Sequence, residues 1–227
     1  ISDGTEAGTV PLKDIEPNGS SMGRVYGFAL PVPLGDKFLF FAFSEANGLE
    51  PWLTDGTSAG TVLLRDIDVQ SGSVPIWLTG PQPQFADLGG FSLFPAVSSS
   101  FDREPWRTDG TAAGTNLVRD IRQPSGSWNN GYEQGVWSGS PFVFAADDGV
   151  HGREPWVSDG SEAGTRLLKD LVPGLGTSQP SVFRQLASGL TVFVADKLWV
   201  TAGTEESTTE LLATPYVEDL TSAATAV

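Results

Sequence analysis

One nine-residue signature recurs along the chain and constrains its fold more than any other feature. It reads Ile1-Ser-Asp-Gly-Thr-Glu-Ala-Gly-Thr9, Leu53-Thr-Asp-Gly-Thr-Ser-Ala-Gly-Thr61, Arg107-Thr-Asp-Gly-Thr-Ala-Ala-Gly-Thr115 and Val157-Ser-Asp-Gly-Ser-Glu-Ala-Gly-Thr165, with a divergent fifth copy, Val200-Thr-Ala-Gly-Thr-Glu-Glu-Ser-Thr208. The anchor positions Asp3, Asp55, Asp109, Asp159 and Ala202 lie 52, 54, 50 and 43 residues apart. From the second copy on, a Trp stands three residues ahead of the anchor: Trp52, Trp106, Trp156 and Trp199. Downstream of the first four anchors comes a basic–acidic–aliphatic triplet: Lys13-Asp14-Ile15, Arg65-Asp66-Ile67, Arg119-Asp120-Ile121 and Lys169-Asp170-Leu171. A chain patterned this way is a repeat array, in which each copy is one supersecondary unit that hides its apolar flanks against its neighbours.

A period near 50 residues matches one four-stranded propeller blade. The strands are readable inside it. Apolar runs end the first half of each unit (Phe38–Phe43, Phe91–Phe94, Phe142–Ala145 and Leu190–Ala195), as expected of strands covered on both faces. A Trp-centred strand follows, then the Asp-Gly hairpin, where glycine supplies positive φ and the aspartate caps backbone amides. A fourth strand, such as Thr61–Ile67, closes the unit. Pro11 is compatible with that strand only at an outer edge. No window carries the spacing of a long amphipathic helix. The predicted fold is therefore all-β: a β-propeller of five blades, each of four antiparallel strands, its ring closed by pairing of the N- and C-terminal segments. Residues 1–15 form a half blade. Complete units cover 16–68, 69–122, 123–172 and 173–214, and residues 215–227, with one strand around Tyr216–Leu220, form the closing tail. Thirteen tail residues are few for two inner strands. A short fifth blade, a piece cut from a larger array, and strands lent by a second chain all stay open.

The units resemble the bacterial tandem repeats of the form Glu-Leu-Trp-x-Ser/Thr-Asp-Gly-Thr-x-x-Gly-Thr. Here Pro replaces Leu in Glu50-Pro51-Trp52, Glu104-Pro105-Trp106 and Glu154-Pro155-Trp156, and the last copy reads Lys197-Leu198-Trp199. The resemblance covers residues 1–214. It implies a propeller-like scaffold in a secreted or surface protein and no particular reaction.

Composition narrows the function. Thirteen Lys and Arg against 28 Asp and Glu give a net charge of -15, which opposes binding to phosphate backbones and anionic lipid. The absence of cysteine excludes disulfides, thiolate nucleophiles and Cys-ligated metals, and the single histidine, His151, excludes a multi-His site within one chain. No apolar run is long enough to span a bilayer. The expected partners are thus neither nucleic acid nor membrane.

In a blade of this topology the Asp-Gly hairpins occupy one face. The loops between second and third strands, and between one unit and the next, occupy the other. The hairpins barely vary. The loops vary freely: Ser44–Glu50, Ser98–Glu104 and Asp147–Glu154 within units, and Glu16–Ser20, Asp68–Ser73, Arg122–Ser127 and Val172–Thr177 between them. Variable loops on a rigid scaffold are where binding is expected. Trp77, Trp128, Asn129, Asn130, Tyr132 and Trp137 are the candidate ligand-binding residues. They fall outside the repeat template and combine rings for stacking on sugar faces with amides for sugar hydroxyls. The recurring Trp residues read instead as inter-blade packing, and Glu50, Glu104 and Glu154, recurring at one place, read as structural. The Lys/Arg-Asp pairs read as solvated ion pairs. Calcium is the one cofactor the acidic loops raise, with Asp147 and Asp148 as candidate ligands, although no regular calcium-loop spacing is present. His151 has no nucleophile motif to serve. The expected function is a non-catalytic, extracellular, lectin-like module that recognises a glycan or a cell-surface protein. The alternatives are a structural segment of a larger adhesin, self-associating through terminal strands, and a glycan-cleaving hydrolase or lyase. Acidity, lack of cysteine and richness in Gly, Ser, Thr and Asp suit a secreted or surface bacterial protein, in a mature form or as a fragment.

Overall fold

The computed structural model describes residues 1–19, 31–68, 85–98, 103–122 and 141–212. Every regular element among them is a strand, and no helix is long and apolar enough to cross a membrane. The first sheet has the order β1(Val32–Leu34), β2(Lys37–Ser44), β3(Gly48–Thr54), β4(Val62–Leu63). The second has β5(Ala86–Asp87), β6(Ser92–Val97), β7(Arg103–Thr108), β8(Asn116–Leu117). The third has β9(Phe142–Asp147), β10(Arg153–Ser158), β11(Arg166–Leu167). The fourth has β12(Ser181–Gln185), β13(Thr191–Ala195), β14(Lys197–Thr201), β15(Thr209–Leu212). Each is a meander in chain order, with antiparallel neighbours. Each sheet and its hairpin is one module, numbered 2 to 5; residues 1–15 are module 1.

Residues 1–15 depart from expectation. The hairpin closes, with the Val10 amide donating to the Ile1 carbonyl (2.9 Å), but no strand forms. The outer strands are also shorter than the predicted Thr61–Ile67: β4, β8 and β11 hold two residues each. Proline is the reason. The amides of Leu64, Val118 and Leu168 donate to the carbonyls of Pro51, Pro105 and Pro155 (3.0, 2.9 and 2.9 Å). A proline has no N–H with which to return that bond, so the ladder stops there and the chain turns away.

Register explains the Trp of each module. Phe40 faces Trp52, Phe144 faces Trp156 and Phe193 faces Trp199 across their strand pairs. These rings share one side of the sheet and Leu39, Phe41, Val143 and Ala145 take the other.

By contacts the chain divides into two compact units, Ile1–Ser99 with Arg107–Asn116, and Ser100–Trp106 with Leu117–Val227. In the first, Phe41 of module 2 stacks on Phe85 of module 3 (ring centroids 4.6 Å apart) and meets Phe94 edge-on (6.1 Å). In the second, Val143, Ala145, Val157 and Leu168 of module 4 form one core with Phe183, Phe193 and Ala195 of module 5, and Trp199 packs against it. Trp52, Trp106 and Trp156 are buried.

A second tie joins successive modules, and it corrects the reading of the basic triplet residues as members of solvated ion pairs. Lys13 donates to the carbonyl of Thr61 (2.6 Å) and Arg65 to that of Thr115 (2.6 Å) in the first unit. Arg119 donates to the carbonyl of Thr165 (2.5 Å) and Lys169 to that of Thr208 (3.0 Å) in the second. Each base therefore grips the last residue of the next module's hairpin.

Candidate functional site

The two ends of a module differ in what they leave available. At the hairpin end nearly every polar group is used internally. In module 3, Asp109 Oδ1 accepts the Thr111 amide (2.9 Å) and hydroxyl (2.7 Å), Thr111 Oγ1 accepts the Gly114 amide (2.9 Å), and the Thr115 hydroxyl donates to the Thr111 carbonyl (2.7 Å). The same bonds recur at Asp3, Asp55 and Asp159. The donated bonds hold all four carboxyls below their ordinary value, those from the Thr or Ser side chain counting most. These aspartates thus cap backbone and hydroxyl groups.

At the loop end, the buried glutamate ahead of each Pro-Trp fastens the crossover to the next module. Glu50 Oε1 accepts the Asp68 amide (3.2 Å). Glu104 accepts the amides of Ile121 (3.0 Å) and Arg122 (3.2 Å). Glu154 accepts the amides of Leu171 and Ser178 (3.0 Å each) and the Ser178 hydroxyl (2.7 Å). Burial pushes the Glu154 carboxyl up, and the bonds from Ser178 and Leu171 only partly offset that. Glu16, which sequence reading passed over, is buried in the same way and accepts the Glu45 amide (2.5 Å). Its signal was a lone acid ahead of Pro-Asn-Gly in a loop.

Trp77, Trp128, Asn129, Asn130, Tyr132 and Trp137 lie outside the described residues. Asp147 and Asp148 are described, and protein groups engage both. Asp147 accepts the Gly149 amide (2.7 Å) and pairs with Arg122 (2.8 Å). Asp148 accepts the amides of Val150 (2.9 Å) and His151 (2.8 Å), and its other oxygen lies 2.7 Å from His151 Nδ1. Burial pushes the Asp148 carboxyl up. The His151 amide and ring and the Val150 amide outweigh it and leave the carboxyl below its ordinary value. Among the described residues no group of three or more His, Asp or Glu side chains is placed to hold a metal ion.

What this loop end does present is apolar. Val150 is 61% exposed and Leu175 80%, with Val172 also exposed. They lie on two loops in contact. A Cβ at Gly152 would overlap the Gly176 carbonyl and crowd that of Leu175, and Gly152 holds φ at +68°, so only glycine fits. The Thr177 hydroxyl and Ser178 amide donate to the Arg153 carbonyl (3.0 and 3.2 Å), fastening the second loop to the base of the first. The rigid parts are the glutamate-anchored crossovers, and the exposed parts are aliphatic tips.

No family model and no curated protein sequence matches the chain. Some solved structures match it distantly. TolB from Acinetobacter baumannii is 15% identical, matching 85% of this chain and 43% of its own, with a TM-score of 0.46. A puromycin hydrolase is 15% identical over 82% of this chain and 31% of its own, with a TM-score of 0.49. The catalytic domain of a Coprinopsis cinerea alpha-L-arabinofuranosidase is 11% identical over 88% of this chain and 72% of its own, with a TM-score of 0.36. The chain spans less than half the length of the first two.

Proposed function

We propose that the chain is a non-catalytic binding module of a secreted or surface bacterial protein, of the Asp-Gly-Thr tandem-repeat kind, and that it meets a glycan or a cell-surface protein through its loop end. Its modules stand as blades of a five-bladed β-propeller whose ring is closed by pairing of the N- and C-terminal segments. The observation that carries the reading is the pair of aliphatic tips, Val150 and Leu175, exposed on anchored loops. The hairpins spend their polar groups on themselves, whereas Val150 and Leu175 stand exposed on loops anchored from beneath. Apolar side chains held in water on rigid loops are contact surface for a partner. The aromatic and amide residues Trp77, Trp128, Asn129, Asn130, Tyr132 and Trp137 complete the ligand surface. The test is binding to a glycan array and to bacterial and host surface-protein panels. Val150→Ser with Leu175→Ser, and separately Trp128→Ala, lower binding at least tenfold with unchanged thermal midpoint. Full binding in both variants refutes the loop-end assignment.

One observation favours a second reading, a segment of a larger assembly. Leu64, Val118 and Leu168 are 3%, 6% and 2% exposed, whereas in module 5 the ladder shifts register between Trp199↔Glu210 and Leu198↔Leu212, and the bulged Leu211 stands 48% exposed. A further module, or a second chain, packed on that face would cover it. Concentration-dependent association that Leu211→Lys abolishes supports this reading, and a monomer at all concentrations removes it.

A further inference from the structure

An asparagine or aspartate followed by glycine is a place where a chain can attack itself. The glycine nitrogen has no side chain beside it and can close a five-membered ring on the preceding side-chain carbonyl carbon. Most such pairs in this chain are guarded. In the hairpins Asp3-Gly4, Asp55-Gly56, Asp109-Gly110 and Asp159-Gly160 the glycine N–H donates to the Ser or Thr two residues earlier (3.0, 3.1, 3.0 and 3.0 Å). Their carboxyls, held low by the bonds they accept, stay ionised, and a carboxylate resists attack by a nitrogen. At Asp148-Gly149 the Gly149 N–H donates to Asp147 (2.7 Å), and Asp148 accepts the Val150 and His151 amides. Asn47-Gly48 has no such charge, but both ends of its carboxamide are held: Oδ1 accepts the Ser44 hydroxyl (3.2 Å) and Nδ2 donates to Asp66 Oδ2 (2.8 Å). Asn18-Gly19 differs. Asn18 is exposed, and among the described residues nothing bonds to its carboxamide; only its backbone N–H is engaged, by Glu16 Oε1 (3.3 Å). The Gly19 N–H makes one bond, to the Glu16 carbonyl (3.1 Å), in a surface turn.

We propose that Asn18-Gly19 is a self-modification site whose conversion unlatches the crossover from module 1 to module 2. The Gly19 nitrogen gives up its proton and bonds to Asn18 Cγ. The Cγ–Nδ2 bond breaks, and the departing nitrogen takes up a proton and leaves as ammonia. One water then opens the ring at either carbonyl and leaves aspartate or isoaspartate at position 18. Nothing is oxidised or reduced, and water is the only co-reactant. The position gives the step its consequence. The buried Glu16 carboxylate accepts the Asn18 amide through one oxygen and, through the other, the Glu45 amide of the β2–β3 loop (2.5 Å). Either product sets a second negative charge two residues from that carboxylate, and like charge disfavours its ionised form. Isoaspartate also lengthens the backbone by one methylene and takes the Gly19 N–H out of reach of the Glu16 carbonyl. Asn47 must first break both of its side-chain bonds, which slows its conversion about tenfold relative to Asn18.

The test ages the full chain in warm, mildly alkaline buffer and maps its peptides by mass spectrometry, where each converted asparagine shows the mass gain and split peak of aspartate and isoaspartate. Asn18 and Asn47 are compared within one protein; Asn130-Gly131, outside the described residues, is read separately on the same map. Asn18 is expected to convert about tenfold faster than Asn47. In the aged wild type the Glu45 amide exchanges its hydrogen about tenfold faster than in fresh protein. In Asn18→Gln, whose longer side chain disfavours the five-membered ring, the same incubation leaves that exchange unchanged. An unconverted Asn18, or an Asn47 that converts as fast, overturns the assignment of the site. A converted Asn18 with Glu45 exchange unaltered, or equal acceleration in aged Asn18→Gln, overturns the unlatching. If Asn18→Gln does not fold, the wild-type map and the fresh-against-aged exchange decide.

Discussion

The fifth hairpin departs from the others at Ala202, Glu206 and Ser207, and the structure implies that the first and last of these changes depend on each other. In the third hairpin Gly110 holds φ at +88°, a conformation that calls for glycine, but Gly114 does not. Gly114 is glycine for another reason: a Cβ there would lie within 3.0 Å of Asp109 Cγ and both carboxylate oxygens. In the fifth hairpin Ala202 stands at the aspartate position and Ser207 at the glycine position. The Ser207 hydroxyl takes over the lost carboxylate's place, accepting the Thr204 amide (3.1 Å) and hydroxyl (3.1 Å). Gly114→Ser alone drives the Asp109 carboxylate off Thr111 and loses two charge-assisted bonds. On an exposed turn each is worth about 0.5–1 kcal/mol, so the cost is about 1–2 kcal/mol, or about 2–8 °C in melting temperature for a chain of this size. Asp109→Ala alone removes the same acceptor at similar cost. The double variant Asp109→Ala with Gly114→Ser rebuilds the fifth hairpin's arrangement and returns to within about 0.5 kcal/mol of wild type, a coupling of about 2–4 kcal/mol between the two sites. Urea unfolding of the four proteins measures it. An additive double variant, or a Gly114→Ser protein as stable as wild type, refutes the reasoning.

Four further outcomes are expected. Glu154→Ala leaves the Leu171 and Ser178 amides without their buried acceptor and costs about 2–4 kcal/mol in denaturant unfolding. Glu154→Gln flattens the stability that wild type loses as pH rises from the ordinary glutamate range through the raised folded value. The hairpin aspartates carry the opposite sign. Their lowered values give a contribution complete above about pH 4 and lost on acidification through the folded values, so melting temperature falls below pH 4, and less steeply in Asp109→Ala. Arg119→Met removes the grip on Thr165 and a cation–ring contact with Trp156 (5.8 Å). It costs about 1 kcal/mol, and hydrogen exchange shows the loss in the hairpin of module 4 rather than that of module 3.

How much of this was legible beforehand depends on how far the partner lies in sequence. The strands were readable because apolar runs such as Phe142–Ala145 mark their own burial. The hairpins were readable because Asp109 and Thr111 satisfy each other within a few residues. The recurrence of Glu50, Glu104 and Glu154 marked them as structural, and their acceptor role bears that out. The grip of Arg65 on Thr115 was not readable: its partner stands 50 residues away, and charge pattern alone favours the adjacent aspartate. Nor was the two-residue outer strand. Pro51 looked like a substitution for leucine, whereas its missing N–H sets where the ladder ends. The candidate aromatic residues from Trp77 to Trp137 lie outside the described segments, so their part in the site rests on the sequence.

The ties between modules all point the same way along the chain. A base at four residues past the hairpin's last Thr reaches forward, and the glutamate ahead of the Trp fixes the crossover that leads forward. Each module is therefore completed by its successor, and its hairpin by its predecessor. Module 5 receives Lys169 but has Leu212 where the earlier modules carry Lys or Arg. In the same module the Asp–Gly pair has become Ala–Ser and Leu211 is exposed. The base that reaches forward in the earlier modules is thus absent from this position of module 5. The pattern's decay in module 5 is then not loss of the fold, since Ser207 preserves the hairpin. It marks the place where the forward-reaching bases stop, and the face carrying Leu211 must be covered, if at all, by apolar contact without a base to grip the partner's hairpin.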